Sequence, residues 1–514
     1  MKDLTDRLAK LSPEKRALLQ SMLLKKSGDT PDRQAIPRRN RANHVPLSFA
    51  QGRLWFLERL APDQVLYNLS SSLRLTGHLD LPLLERCLNE IIRRHEILRT
   101  TFTEENGEPV QVIAPSGTIR IAPSDLTGLS ETEQADQVRR MAADAARRPF
   151  DLEKGPLLRP DLLRLKDADH VLVLTMHHMI SDGWSMGVMI REIRSLYESF
   201  FTGTPSPLPE LEIQYADFAL WQREWMKGPE PTAQVDYWTK RLAGAPPVLN
   251  LPLDHPRPPR QTHHGSAERL DIGPDLVRGL DDIARKAGAT RFMLLLSAYT
   301  VLLHRYCNQE DILIGTPVAG RNLRDIEPLI GFFVNTLVIR TDLSEDLTFR
   351  NLLDQVRRTS VAAFEHQDLP FEKLVDALQP ERTLSHSPVF QTMFVLHNAH
   401  TEALNLPGLT IRPMEAETVS AQFDLVLSVL EVESGFHMRF EYNTDLFDPG
   451  TIRRMADNFE VLLSGIAAHP ESKVSELPIL TARERHRLLV EFNDTAADYP
   501  DDKSIVDLFE AQVE

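Results

Sequence analysis

The sequence predicts a mixed α and β protein of two lobes, and three observations predict it. Val171-Leu172-Val173-Leu174-Thr175-Met176 is an apolar, β-branched run without Gly or Pro, which reads as a buried strand. An amphipathic helix follows within a few residues: Met186, Met189, Ile190, Ile193, Leu196, Tyr197 and Phe200 recur at spacings of three and four, and Gly203 stops the pattern. Near mid-chain, residues 222–262 are dense in proline, with Pro246, Pro247, Pro252, Pro256, Pro258 and Pro259, and 514 residues suffice for a sizeable core on either side.

The elements follow in order. Residues 3–27 read as one or two short helices: Ser12-Pro13-Glu14 supplies a cap, a first-turn proline and an acid at the positive end. Leu18, Leu19, Met22 and Leu23 give that segment an apolar stripe, which either packs on the main body or docks another protein. Residues 28–44, with Arg33, Arg38, Arg39 and Arg41, read as a linker. Asp80 opens a helix reaching about Arg94, with Cys87 on its apolar face among Leu84, Leu88, Ile91 and Ile92. From Leu477 the composition changes again.

Composition narrows the function. Lys and Arg number 58 against 74 Asp and Glu, a net charge of −16 that argues against nucleic acid as the main partner. Two cysteines, Cys87 and Cys307, imply no disulfide framework, which fits a reducing cytoplasm. The longest apolar run, Phe292 to Leu303, is too short to span a bilayer, and Met1-Lys2-Asp3-Leu4 does not begin a signal peptide, so no membrane role is expected.

The chemistry points to His177-His178-Met179-Ile180-Ser181-Asp182-Gly183, where the strand meets the helix. A strand fixes a side chain while the loop beyond it stays open. Successive strand residues face opposite ways, so one histidine packs inward and the other is free for chemistry. The pair lacks the spacing of a zinc site. Asp182 either orients an imidazole or pairs with an arginine, and Gly183, without a Cβ, lets its N–H approach a substrate oxygen.

The pattern HHxxxDG resembles the signature of the condensation domains of nonribosomal peptide synthetases, within the chloramphenicol-acetyltransferase-like superfamily. Other segments resemble further motifs of that family in order: Ser48-Phe49-Ala50-Gln51-Gly52-Arg53-Leu54-Trp55, Arg94-His95-Glu96-Ile97-Leu98-Arg99-Thr100-Thr101-Phe102, and Tyr215-Ala216-Asp217-Phe218-Ala219-Leu220-Trp221. Ile330-Gly331-Phe332-Phe333-Val334-Asn335-Thr336, His366-Gln367-Asp368-Leu369-Pro370-Phe371-Glu372 and, more loosely, Arg382 to Val389 continue the series. The resemblance covers about residues 44–480.

The resemblance implies an α/β fold with mixed sheets: two acyltransferase-like lobes in a V-shaped pseudo-dimer around a central tunnel. The N-lobe would span 44–222 and the C-lobe 223–480, after an N-terminal segment at 1–43. Residues 481–514 resemble a linker and the start of an adenylation domain. They contain no Gly-rich phosphate loop and no Gly-Gly-x-Ser carrier site.

It also implies the reaction. An acceptor amine attacks a donor thioester, both held on the 4'-phosphopantetheine arms of carrier proteins, with no metal and no cofactor bound by this chain. His178 is implied as the chemical histidine and His177 as its structural neighbour, with the Gly183 N–H facing the oxyanion. Asp182 would pair with Arg321 in Gly315-Thr316-Pro317-Val318-Ala319-Gly320-Arg321. Trp184 and Ser185 would line the acceptor side. Asn335, His95 and His366 read as structural.

Histidines at 177 and 178 disfavour a heterocyclising relative, which carries aspartates there. The wording HHMISDGWS and RHEILRTTF resembles the subtype joining an L-configured donor to an L-amino acid. A start close to Met1 implies a donor arriving in trans, from another carrier or from acyl-CoA, with adenylation and carrier domains downstream. A starter domain that N-acylates the first amino acid is the alternative. A stand-alone CoA-dependent acyltransferase and a non-catalytic docking platform are the rivals from other classes.

Overall fold

A computed structural model of the chain describes residues 35–40, 44–60, 65–381, 383–397, 404–414, 420–496 and 502–513. The helices expected at 3–27 and Arg382 lie outside these.

Two six-stranded mixed sheets organise the chain. In the first, strands Asn68–Gly77, Asp169–His177 and Leu158–Lys166 are central and antiparallel, while Pro123–Asp125 pairs parallel with Leu158–Lys166. In the second, Thr392–His397 runs parallel to Leu425–Val432 and to Asp311–Val318, and the remaining neighbours are antiparallel. A small sheet joins His44–Pro46, Glu108–Ile113 and Thr100–Glu105. The mixed α and β class and the mixed sheets are as expected.

Helices bury their apolar stripes against the sheets, and the first sheet is covered on both faces, with helix Glu131–Arg147 over Leu163, Leu165, Val171 and Val173. Helices Leu81–Arg94 and Gly183–Phe201 pack together over the first sheet. Asp80 caps the former by accepting the Leu83 N–H at 2.9 Å. Cys87 is fully buried in that core, and burial pushes its thiol up to about 12. In the latter, Met189, Ile193, Leu196, Tyr197 and Phe200 are buried, but Ile190, expected on that face, is 36 % exposed. The second sheet is covered by Arg291–Cys307, Phe349–Glu365 and Pro449–Ala468, with Leu294 to Leu303 wholly in the core. Among the described residues no single helix is long and apolar enough to cross a membrane.

Core membership changes along the chain between helix Tyr215–Trp225, whose Tyr215 and Phe218 belong to the first core, and helix Pro229–Leu242, whose Trp238 and Leu242 belong to the second. Two segments of 223–480 reach across to the first core and its sheet. Strands Leu404–Leu406 and Leu409–Met414 add to the edge of the first sheet, with Ile411 registered against Leu75. Ile326, Leu329, Ile330, Phe332 and Phe333 are buried in the first core. The lobes are thus tied together by an exchanged strand pair and by an inserted peptide.

The linker expected at 28–44 also differs where it is described. Ile36 is 4 % exposed. Arg39 pairs with Asp217 at 3.0 Å and with Glu96 at 2.5 Å, clasping two of the motif segments. Beyond Leu477, helices Ala482–Leu489 and Ile505–Val513 leave Phe492, Ile505 and Phe509 facing solvent.

Candidate active site

The strand Asp169–His177 ends in a single 3-10 turn, His178–Ile180, before helix Gly183–Phe201. This change of backbone separates the two histidines. His177 is 2 % exposed, edge-on to Phe150 at 6.0 Å, and its Nδ1 accepts the Met179 N–H at 3.1 Å. Burial, with smaller contributions from His178 and Arg159, pushes its imidazole down to about 3, so the ring is a neutral structural acceptor.

His178 keeps part of its surface open. Its Nδ1 lies 2.9 Å from the Ser181 carbonyl oxygen. A carbonyl can only accept, so Nδ1 carries the hydrogen and Nε2 presents a lone pair. Burial pushes this imidazole below its ordinary value; the Asp182 charge and the Ser181 bond pull it back in part, and Arg53 adds to the fall. The ring rests against Phe332 of the inserted peptide, centroids 4.9 Å apart. The imidazole is therefore held neutral and oriented, with Nε2 left as a hydrogen-bond acceptor.

Asp182 is the N-cap of the site helix. Its Oδ1 accepts the Ser185 N–H at 2.8 Å and the Ser185 hydroxyl at 2.7 Å. Its Oδ2 accepts the Phe333 N–H at 3.0 Å. Arg321 donates to the same carboxylate at 3.1 Å, with both side chains out of solvent. Arg321 also donates to the carbonyls of Ile326 and Leu329, each at 2.7 Å, and its guanidinium lies 4.2 Å from the Phe333 ring centroid. Of the two roles open to Asp182 from sequence, the structure shows the arginine pair.

Two glycines make the latch possible. Gly320, at φ +65°, turns the chain so that Arg321 enters, and a Cβ there would lie 2.0 Å from the Phe333 carbonyl oxygen. A Cβ on Gly331 would lie 2.1 Å from the Tyr215 ring. Tyr215, fully buried, donates to the Phe332 carbonyl at 2.7 Å and meets Ser48 Oγ at 2.8 Å. His95 fastens the same peptide: its Nδ1 accepts the Ile330 N–H at 3.2 Å while Nε2 meets Glu192 at 3.0 Å.

Gly183 begins the helix, where N–H groups have no intrahelical acceptor and the dipole is positive. A side chain there would meet no atom within 4 Å, so the backbone can be approached closely. Trp184 is 44 % exposed and donates to the Glu327 carbonyl at 3.0 Å. Ser185 differs from its expected place lining the acceptor side: it is fully buried, bonded to Asp182, Arg321 and Gly331. Asn335 staples a loop, donating to the Gln367 and Leu369 carbonyls and accepting from the Phe371 N–H. His366 stacks on Tyr237 at 3.8 Å and bonds the Ala362 carbonyl, away from this cluster.

Phe332, Tyr215, Ser48 and Gln51 lie within motif segments, but the sequence alone assigns them no role; motif membership is the signal that points to them. Glu192, which joins Arg94 and His95, lies outside every motif. A cavity of about 60 Å³ between the lobes is lined by Trp221, Phe332, Phe333, Asn335 and Glu372, but by neither His178 nor Gly183. Among the described residues no group of His, Cys, Asp and Glu could hold a metal ion.

Comparison with known proteins identifies the family. The family model for the condensation domain matches residues 41–489. One of the linear gramicidin synthase proteins of Brevibacillus parabrevis is 47% identical over 472 residues, covering 91% of this chain and 9% of that protein. Phosphinothricin tripeptide synthetase PhsC of Streptomyces viridochromogenes is 44% identical over 502 residues, 97% of this chain and 46% of that protein. This chain thus spans less than half of either relative. The X-domain in its complex with OxyB from teicoplanin biosynthesis superposes with a TM-score of 0.79 at 30% identity, covering 87% of this chain and 99% of that one. The chain belongs to the condensation-domain family, the amide-forming acyltransferases of nonribosomal peptide synthetases.

Proposed function

We propose that this chain elongates a peptide, joining an L-configured donor thioester to a carrier-bound L-amino acid, with His178 as the group that handles the proton. The observation that carries the reading is the His178 tautomer: Nδ1–H is committed to Ser181, and Nε2 is left as an acceptor.

The chemistry follows from that atom. An α-amine has a pKa near 7.7–8.0, so roughly a tenth to a fifth is neutral at pH 7 and a strong base is not needed for attack. Once the nitrogen bonds to the thioester carbon it becomes acidic. Its proton passes to Nε2, the C–S bond breaks, and the departing thiolate takes the proton back. The Gly183 N–H, at the positive end of its helix, faces the oxyanion of the intermediate. Orientation does the rest: two long arms replace a bimolecular encounter. Asp182 and Arg321 act at one remove, holding the turn and the Phe332 ring that fix the imidazole.

The X-domain relative was solved in complex with OxyB, so docking without bond formation is the rival outcome. The test is intact-mass spectrometry of an aminoacyl carrier protein mixed with this chain and offered carrier-bound peptidyl, carrier-bound acyl or acyl-CoA donors. A mass gain only from the peptidyl carrier, supplied as a separate protein, supports elongation in trans. A gain from acyl-CoA or an acyl carrier makes it a starter domain. No gain with any donor overturns the reading in favour of docking.

A further inference from the structure

The inserted peptide is received at Ile330 by a buried relay that takes no part in the Asp182–Arg321 latch. The Ile330 N–H donates to His95 Nδ1 at 3.2 Å, and His95 Nε2 lies 3.0 Å from Glu192 Oε2. Arg94 grips the same carboxylate, its Nη2 donating to Oε1 at 3.1 Å and its Nε to Oε2 at 3.3 Å. All three side chains are buried. Arg94 and His95 stand at the end of helix Leu81–Arg94, and Glu192 lies inside helix Gly183–Phe201. These donors fix the proton. A backbone N–H can only donate, so His95 Nδ1 carries a lone pair, and the hydrogen of the ring sits on Nε2, facing the carboxylate. Burial pushes the Glu192 carboxyl up, but the bonds from His95 and Arg94 outweigh it and hold it below the usual carboxylate range, so it only accepts. The other tautomer would set a lone pair against the carboxylate and Nδ1–H against the Ile330 N–H.

We propose that Glu192 is a positioning residue for the condensation reaction: its carboxylate selects the His95 tautomer that receives Ile330, and through that peptide it sets the Phe332 ring against His178. The inference rests on the reading of His178 as the proton acceptor. The path is short. Gly331, the next residue, donates its N–H to Ser185 Oγ at 3.1 Å, and Phe332 follows with its ring 4.9 Å from the imidazole. Ile330 is thus the first fastening of the strip that carries Phe332. A carboxylate that orients an imidazole from behind is a recurrent device wherever one ring nitrogen must present a fixed lone pair. The rival role for Glu192 is to neutralise the buried Arg94. The two roles part at position 95. A carboxylate that serves only Arg94 acts whatever stands there, whereas one that selects a tautomer acts only on a residue that has tautomers.

The test uses that difference. Single-turnover amide formation from loaded carriers is compared in the parent, Glu192→Gln, His95→Asn and the double variant, each well below its thermal midpoint. Asn Oδ1 takes the place of Nδ1 and accepts the Ile330 N–H with no tautomer to lose. Glu192→Gln should slow the reaction roughly tenfold beside His95, at unchanged half-saturation by the carriers, and add nothing further beside His95→Asn. Equal slowing in both backgrounds, or no slowing beside His95, overturns the inference. Imidazole nitrogen shifts in histidine-labelled protein read the ring itself, its signal identified by contact with the Ile330 amide. The parent should carry its hydrogen on Nε2, and Glu192→Gln should move it toward Nδ1. A parent ring protonated on Nδ1, or a Glu192→Gln ring unchanged from the parent, also overturns the inference. The spectrum needs no turnover. The expected nitrogen shifts beside a fully active His178→Gln would sink the reading of His178 and leave the control of the His95 tautomer standing.

Discussion

Arg321 of the second lobe donates to Asp182 of the first at 3.1 Å, with both side chains out of solvent, three residues beyond the Met179 that follows His178. A buried pair of this kind adds little net stability against apolar groups of the same shape, but breaking it strands a charge. Arg321→Ala is expected to lower unfolding free energy by roughly 3–5 kcal/mol, read as a fall in the denaturant midpoint. Arg321→Lys should not restore it. One ammonium cannot serve Asp182 and the carbonyls of Ile326 and Leu329 with the fork geometry of a guanidinium. A lysine variant as stable as the parent would contradict this account.

The Tyr215 hydroxyl connects Ser48 to the Phe332 carbonyl, and Phe332 positions His178. Tyr215→Phe leaves a buried carbonyl without its donor at a cost of roughly 1–3 kcal/mol. Single-turnover amide formation should slow while the carrier concentration at half-saturation stays unchanged, because Tyr215 is buried away from any docking surface. Weaker carrier binding with a normal turnover would show the hydroxyl to act elsewhere.

His177 gives a pH dependence. Its imidazole is pushed down to about 3 when folded, against about 6.5 when unfolded. Between those values the unfolded chain binds the extra proton, so stability is complete above about pH 6.5 and falls as pH drops toward 3, by about 1.4 kcal/mol per pH unit. His177→Asn keeps an oxygen where Nδ1 accepts the Met179 N–H and removes the titration. Urea unfolding between pH 6.5 and 4.5 should show a shallower decline for the variant by about that slope. Parallel declines would contradict a neutral, buried His177.

The exchanged strand is open to a covalent test. Thr76 and Thr410 are registered partners in antiparallel strands, a pairing whose Cα separation of about 4.5–5.5 Å lies within disulfide range. Thr76→Cys with Thr410→Cys should oxidise readily and lose two free thiols in a titration, while neither single variant does. Free thiols that persist under oxidation would place residues 404–414 elsewhere.

Much of the site was legible in local pattern. The run Val171–Met176 has the composition of a buried strand, and Asp182 stands where a cap must stand before the stripe that starts at Met186. The Arg321 partner came from resemblance, since nothing local links residues 139 positions apart in sequence. Ser185 misled because a hydroxyl beside a reactive histidine reads as a lining group, while its burial depends on Gly331 arriving from the other lobe. The insertion of Ile326–Phe333 and the strand pair 404–414 were not legible. Apolar period reports that a face is buried, not against which lobe, and an edge strand carries no mark of its partner. Ile190 shows the same limit, fitting the helical stripe by spacing yet lying just outside the buried face.

His178→Gln is the most direct test of the central claim. Parent and variant, matched in thermal midpoint, would be mixed with loaded donor and acceptor carriers, and amide formation followed by intact mass in a single turnover. Loss of a positioned proton acceptor should slow the reaction roughly 10²–10⁴-fold. A variant within a few-fold of the parent would contradict His178 as the chemical residue of this site.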